Sequence, residues 1–236
     1  MNLRTPARLL LFDVDETLLQ SEEIRMQIRN EYLQKNWHVE PMNEQEYRLH
    51  CVGKSLRLSI VPWLKKTRPG IKASAMEIAF TLKERENKMY KNGAIKTTPF
   101  ACDFLEAAQN SGLILGVCTG ESQQDIANKL KCVNFDQYFD LHNRVSRSEA
   151  GGQFKPSPAM YLVNWAQYAA TISRQAVRVF EDNEEGILSG YYGGFPTIAV
   201  PSSWSLGQDF SRATGVATNG FQTLLEHPKK YLGRDL

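Results

Sequence analysis

The four apolar residues Leu9-Leu10-Leu11-Phe12 run straight into Asp13-Val14-Asp15-Glu16-Thr17. A short, continuous apolar run of this kind reads as a buried strand. Two carboxylates one residue apart at its end sit where a parallel α/β sheet opens to solvent, the edge at which such sheets bind ligands. Like charges this close repel unless a cation neutralises them or one of them holds a proton. Both conditions suit one division of labour. One carboxylate attacks an electrophile, its neighbour handles the proton, and a hard divalent ion lies among the anionic groups. The plain alternative is a strand ending in a solvated acidic turn, with Thr17 capping the next helix.

From about Ser21 to Asn92 the chain is polar and helical, with no convincing strand. Ser21-Glu22-Glu23-Ile24 starts a helix that carries Ile24, Ile28, Tyr32 and Leu33 on one face. Pro62 and Pro69-Gly70 punctuate the middle of the stretch. Ser74 to Tyr90 reads as a long amphipathic helix, with Met76, Ala79, Phe80, Lys83 and Met89 expected on its inner face. Beyond Lys96 helices and strands alternate. The expected strands are 113–118, one within 138–145, 177–180 and 197–200, and the expected helices are 100–110, 123–130, 158–170 and 184–191. This order predicts a parallel, doubly wound sheet whose first strand lies before the helical insert and whose remainder follows it.

Three further signals fall at strand ends or in loops that can reach the same edge. Thr119-Gly120-Glu121-Ser122 lies where a strand passes into a helix, and free backbone N–H groups at such a point favour phosphate. A Thr119 hydroxyl there can donate to a phosphoryl oxygen, and Gly120 lets the backbone approach closely; the simpler reading is a helix cap. Lys155 lies in Gly151-Gly152-Gln153-Phe154-Lys155-Pro156-Ser157-Pro158, a loop that Pro156 and Pro158 stiffen beside the lysine. A rigid ammonium is useful where negative charge gathers on a nucleophile and a phosphoryl group together. Glu181-Asp182-Asn183 follows a strongly apolar strand and would bring Asp182 opposite Asp13 as an oxygen ligand for a hard cation.

Composition narrows the partners. The 236 residues suffice for one core plus a small accessory domain, and 42% apolar and 23% charged residues are ordinary for a globular protein. A net charge of +2 without a dense basic run makes no case for nucleic acid. No segment approaches the roughly 20 apolar residues that span a bilayer. Arg4 and Arg8 precede Leu9, but Asp13 cuts the apolar run too short for a signal peptide. Cys51, Cys102, Cys118 and Cys132 lack zinc-ligand spacing, and reduced thiols in a cytoplasm fit them better than a disulfide framework. A monomer or weak dimer is expected.

The chain resembles the haloacid dehalogenase superfamily, in its branch of small phosphatases and β-phosphoglucomutase-like enzymes with a helical cap inserted after the first strand. Four segments carry the likeness: Asp13-Val14-Asp15-Glu16-Thr17, Val117-Cys118-Thr119-Gly120, Phe154-Lys155-Pro156-Ser157-Pro158, and Phe180-Glu181-Asp182-Asn183-Glu184-Glu185-Gly186-Ile187. The likeness covers 9–201, is weak in the insert and is nearly absent after Trp204. It implies a Rossmann-like α/β core of residues 1–18 and 96–236 with a cap of residues 19–95. It implies Asp13 as the nucleophile that becomes an aspartyl-phosphate. Asp15 would be the acid for the leaving group and then the base for water, its carbonyl also binding Mg²⁺. By the same likeness Thr119 and Gly120 bind phosphoryl oxygens, Lys155 steadies nucleophile and phosphate, and Asp182 ligates Mg²⁺ with Glu181 in support. Lys54 and Arg57 of the insert would contact substrate.

The implied activity is hydrolysis of a small phosphorylated metabolite, a sugar phosphate or phosphoglycolate-like compound. A phosphomutase of the β-phosphoglucomutase type and a non-catalytic binding protein on the same fold are the alternatives. Two departures stand out. Glu16 takes the place of the usual glycine before Thr17, and is expected to point away from the site. Thr119-Gly120-Glu121-Ser122 replaces a more usual Thr-Asn-Ser type of sequence.

Overall fold

Residues Leu9–Phe12 form β1, and every one of them is buried. In the computed structural model, which describes residues 3 and 5–236, this strand lies in the interior of a six-stranded sheet. Met1, Asn2 and Arg4 fall outside the described residues. The other strands are β4 (Ile114–Thr119), β5 (Arg144–Ser146), β6 (Val177–Glu181), β7 (Thr197–Ala199) and β8 (Gly215–Val216). Their order is β5-β4-β1-β6-β7-β8, and each neighbouring pair is parallel. The chain leaves β1 in both directions across the sheet, which makes its carboxyl end a switch point of a doubly wound fold. A two-stranded antiparallel pair, β2 (Leu19–Gln20) with β3 (Lys96–Thr97), joins the two crossings of the chain between core and insert.

The chain divides into two compact units, one of Met1–Gln20 with Lys96–Leu236 and the other of Ser21–Ile95. In the first unit, helices α5 (Ala101–Asn110), α6 (Gln123–Cys132), α7 (Ala159–Ala166) and α8 (Glu184–Tyr192) connect the parallel strands. α7 is shorter than the sequence pattern suggests, because the chain turns at Tyr168. The strand expected within 138–145 reduces to Arg144–Ser146.

One face of the sheet carries an aromatic cluster. Phe12 stacks on Phe180 at 4.8 Å, and Phe104 and Phe221 pack edge-on or tilted beside them. Phe221 opens α9 (Phe221–Glu226), which with α10 (Pro228–Leu232) gives the segment after Trp204 a structural role. Arg178 departs from the apolar reading of its strand. It is fully buried and donates to the carbonyls of Thr5, Gln175 and Tyr231 at 2.6–2.8 Å, tying both ends of the chain to β6. Burial without a carboxylate partner lowers it to about 10.

The second unit contains α1 (Glu22–Trp37), α2 (Glu44–His50), a π-turn at Leu56–Ile60, α3 (Val61–Thr67) and α4 (Ala75–Lys91). Its inner stripe on α4 is Ile78, Leu82, Glu86 and Tyr90. Met76 and Phe80, expected inside, are about two-thirds exposed. Two rows of apolar residues four apart compete on this helix, and packing selected the other one. Glu86 belongs in that stripe because Arg25 and Arg29 of α1 face it at 3.7 and 3.8 Å. Among the described residues no helix is long and apolar enough to cross a membrane.

Candidate active site

Side chains along a strand repeat every second residue, so Leu9, Leu11 and Asp13 share one face, as do Val177, Val179 and Glu181. The register sets Phe12 beside Phe180, and the Asp13 N–H donates to the Phe180 carbonyl at 3.0 Å. Asp13 and Glu181 therefore emerge side by side, on the face that α7 covers. Lys155 reaches between them from the loop before α7. Its Nζ lies 2.5 Å from Asp13 Oδ1 and 2.6 Å from Glu181 Oε1. Tyr161 of α7 donates its hydroxyl to the same Glu181 oxygen and sets its ring 5.3 Å from the ammonium. The Glu181 carboxyl lies against the start of α8, where a Cβ on Gly186 would come within 2.0 Å of it. Only glycine leaves that space.

Asp182 follows, 1% exposed, with its Oδ1 accepting from the Asn183 amide at 2.9 Å. Asn183 itself caps α8 by accepting from the Gly186 N–H. Asp13, Glu181 and Asp182 can each bring an oxygen within 4.8 Å of the others. Burial above the apolar sheet raises Asp13 to about 7, with Lys155 opposing and Glu181 and Asp15 adding to the rise. Asp182 is pushed well above the ordinary carboxylate range by burial and then by Asp13, Glu181 and Glu16. For Lys155, burial disfavours the charge, but Asp13 and Glu181 outweigh it and the ammonium is held. One ammonium among three carboxylates leaves negative charge uncompensated, and Glu181 Oε2 is buried with no hydrogen-bond partner. Hard oxygen donors with a charge deficit of this sign fit a divalent cation.

Thr119 ends β4 and is 3% exposed. The helix-cap reading does not hold for it, since Ser122 caps α6 by accepting from the Asp125 N–H. A Cβ on Gly120 would meet nothing within 4 Å, so the space above that turn is open. Thr17 does not cap a helix either; it is fully buried, and α1 begins only after β2. Asp15, in the loop after β1, has its Oδ1 2.6 Å from Lys129 Nζ on α6. Lys54 and Arg57 are exposed in the helical unit, Lys54 in the turn after α2 and Arg57 in the π-turn before α3.

Glu16 is not the solvated surface charge that pointing away from the site would make it. It is 5% exposed and close enough to Asp182 to raise it. Its φ of 60° is the left-handed conformation that glycine adopts freely. The turn keeps the geometry of a glycine while holding a glutamate, because the following Leu19 carbonyl accepts the Glu16 N–H. Glu16→Gly is therefore expected to stabilise the metal-free protein by about 1 kcal/mol, by relieving backbone strain and a like charge. Urea denaturation in EDTA measures this, and a less stable variant would refute the strain account.

Lys129 and Tyr161 escape motif reading, whereas Glu121 and Gly186 lie inside the quoted segments without a role assigned to them there. Lys129 had a signal: it shares the i, i+3, i+4 row of α6 with the buried Ile126 and Leu130, an apolar position for a lysine.

The chain matches the family described as haloacid dehalogenase-like hydrolase over residues 10–200. It is similar to the protein CbbY of Rhodobacter capsulatus, with 26% identity over 212 residues that cover 86% of this chain and 89% of the relative. The crystal structure of CbbY from Rhodobacter sphaeroides in complex with phosphate matches with a TM-score of 0.79 at 21% identity, covering 92% of this chain and 96% of that one. A mutant of that protein in complex with xylulose 1,5-bisphosphate gives 0.76 at 20% identity, covering 89% and 93%. Similarity to solved structures at this level of identity establishes a shared fold.

Proposed function

The chain belongs to the haloacid dehalogenase-like hydrolases, and on that premise we propose that it is a phosphatase, a Mg²⁺-dependent phosphomonoesterase acting through an aspartyl-phosphate. The observation that carries this reading is Lys155 seated between Asp13 and Glu181 at the switch point of the sheet, with Asp182 alongside. Asp13, the Asp15 carbonyl and Asp182 would ligate the ion, with Glu181 in support. When bound, Mg²⁺ supplies the positive charge that these carboxylates lack and neutralises phosphoryl oxygens.

In this reading an Asp13 oxygen attacks phosphorus and the bond from phosphorus to the ester oxygen breaks. That oxygen keeps the electron pair and takes a proton from the Asp15 carboxyl. The Asp15 carboxylate then removes a proton from water as the water oxygen attacks the same phosphorus, which frees phosphate and restores Asp13. Thr119 and the Gly120 backbone hold the phosphoryl oxygens, and Lys155 balances the charge that gathers between nucleophile and phosphate.

The substrate is proposed to be a small phosphorylated metabolite, a sugar phosphate or phosphoglycolate-like compound. The bisphosphate held by the Rhodobacter sphaeroides protein supports that class. The helical unit is proposed as a cap that excludes water, with Lys54 and Arg57 as its substrate contacts. Four free cysteines fit a reducing compartment, and a cytoplasmic setting belongs to this reading.

Phosphate release from p-nitrophenyl phosphate and from a panel of phosphorylated metabolites tests it. Activity is expected to vanish in EDTA and to return with Mg²⁺. Full activity in chelator would refute the metal assignment, and a phosphopeptide as best substrate would refute the cap argument. Isomerisation of glucose 1-phosphate without net phosphate release would replace hydrolase by mutase.

A further inference from the structure

Lys129 is a fully buried lysine whose ammonium lies 2.6 Å from Asp15 Oδ1 and 2.8 Å from Glu121 Oε2. Burying an ammonium costs several kcal/mol unless it is paired, so its place among apolar neighbours on α6 calls for a reason. Its two partners come from different loops, Asp15 after β1 and Glu121 after β4. The ammonium therefore fastens one active-site loop to another, through a charge-assisted hydrogen bond to Asp15, which is short and directional, and an ion pair to Glu121. Asp15 retains 17% side-chain exposure and Glu121 13%. An aspartate at the mouth of a site can otherwise rotate among its staggered conformers.

We propose that Lys129 is a positioning residue for Asp15, and that Glu121 in turn fixes Lys129. The inference rests on the assignment of Asp15 as the group that protonates the leaving oxygen. Holding Oδ1 on Lys129 fixes the rotation of the Asp15 carboxyl, and with it the direction in which the group can deliver a proton to the departing ester oxygen. Proton transfer depends steeply on this placement, since a misplacement of about 1 Å can cost about a hundredfold in rate. The pair Glu121 and Lys129 also gives a physical reason for the glutamate that follows Thr119-Gly120: it supplies the second carboxylate that a buried ammonium needs.

The dependence on leaving group separates this role from general support of the fold. The p-nitrophenolate anion departs without a proton, whereas the alkoxide of β-glycerophosphate needs one. The quantity to measure is kcat/KM in Mg²⁺, which reports the steps up to departure of the leaving group. Lys129→Met is expected to lower kcat/KM for β-glycerophosphate by about a hundredfold and for p-nitrophenyl phosphate by less than about fivefold. Glu121→Gln is expected to show the same selectivity at about threefold. Equal losses on both esters, or none, would overturn the proposal.

Asp15→Asn serves as the reference. If it is selective and Lys129→Met is not, the positioning role fails while the assignment of Asp15 stands. If Asp15→Asn itself shows no selectivity, the assignment of Asp15 fails. Should Lys129→Met not fold, Lys129→Met with Glu121→Gln removes one of the two carboxylates left unpaired, and Glu121→Gln alone carries the same measurement. An unchanged ratio of the two esters in the folded variants would overturn the proposal.

Discussion

Replacing Asp13 by asparagine is expected to abolish turnover in a protein that still folds. An amide does not attack phosphorus as a carboxylate does, and loss of a covalent nucleophile costs about 10⁴-fold or more in kcat. The response of stability has a definite sign. Without a cation, burial raises Asp13 from 3.8 to about 7, Lys155 opposing and Glu181 and Asp15 adding to the rise. Between those values the folded chain keeps a proton that the unfolded chain has released, so stability in chelator falls as pH rises through the window. Asp13→Asn removes that group. It is expected to flatten this part of the profile and to be at least as stable as the parent above it. Phosphate release and denaturation in EDTA measure the two effects. Near-native kcat would exclude the covalent route, and a variant that unfolds more readily at alkaline pH would exclude the electrostatic account.

Lys155→Met is expected to cost both activity and stability. The methionine keeps much of the stem but removes the ammonium from between Asp13 and Glu181, whose oxygens lie 2.5 and 2.6 Å away. Loss of charge stabilisation at the reacting centre lowers kcat/KM by about 10²–10³-fold. Stranding buried carboxylates without their partner destabilises the metal-free protein by about 3–5 kcal/mol. Because Asp13 and Lys155 touch, the Asp13→Asn, Lys155→Met double variant is expected to be more stable than the sum of its parts by over about 0.5 kcal/mol. Strict additivity would show that the contact carries no coupling energy, contrary to the role given to Lys155.

Much of the core was legible from local pattern. A mostly apolar run is enough to specify a strand buried on both faces, and 9–12, 114–119, 177–181 and 197–199 follow from that rule with ends shifted by a residue or two, Arg178 being the residue it does not explain. Alternating helices and strands then constrain the sheet to be parallel, because each crossover returns the chain in the same direction. That parallel arrangement puts Asp13, Thr119 and Glu181 at one edge of the sheet. These outcomes depend on neighbours in sequence and on chirality, which a linear chain carries in full.

Tertiary structure alone decided what depends on which distant groups meet. The α4 stripe is an instance: 76 and 80, or 78 and 82, satisfy the helical period equally, and the partners on α1 broke the tie. Glu16 is another, since a left-handed φ and proximity to Asp182 arise from the closure of a turn and cannot be read from residue type. Asp15 and Lys129 lie 114 positions apart in the chain, and Asp13 and Lys155 lie 142 apart. A lysine reads as solvated until folding removes its water, and only then does charge require that a carboxylate be waiting. The order of residues thus determined the strands, the edge and the acidic groups upon it, while the burial of Lys129 and Lys155, which turns ordinary surface charges into fixed ones, was decided by the packed core around them.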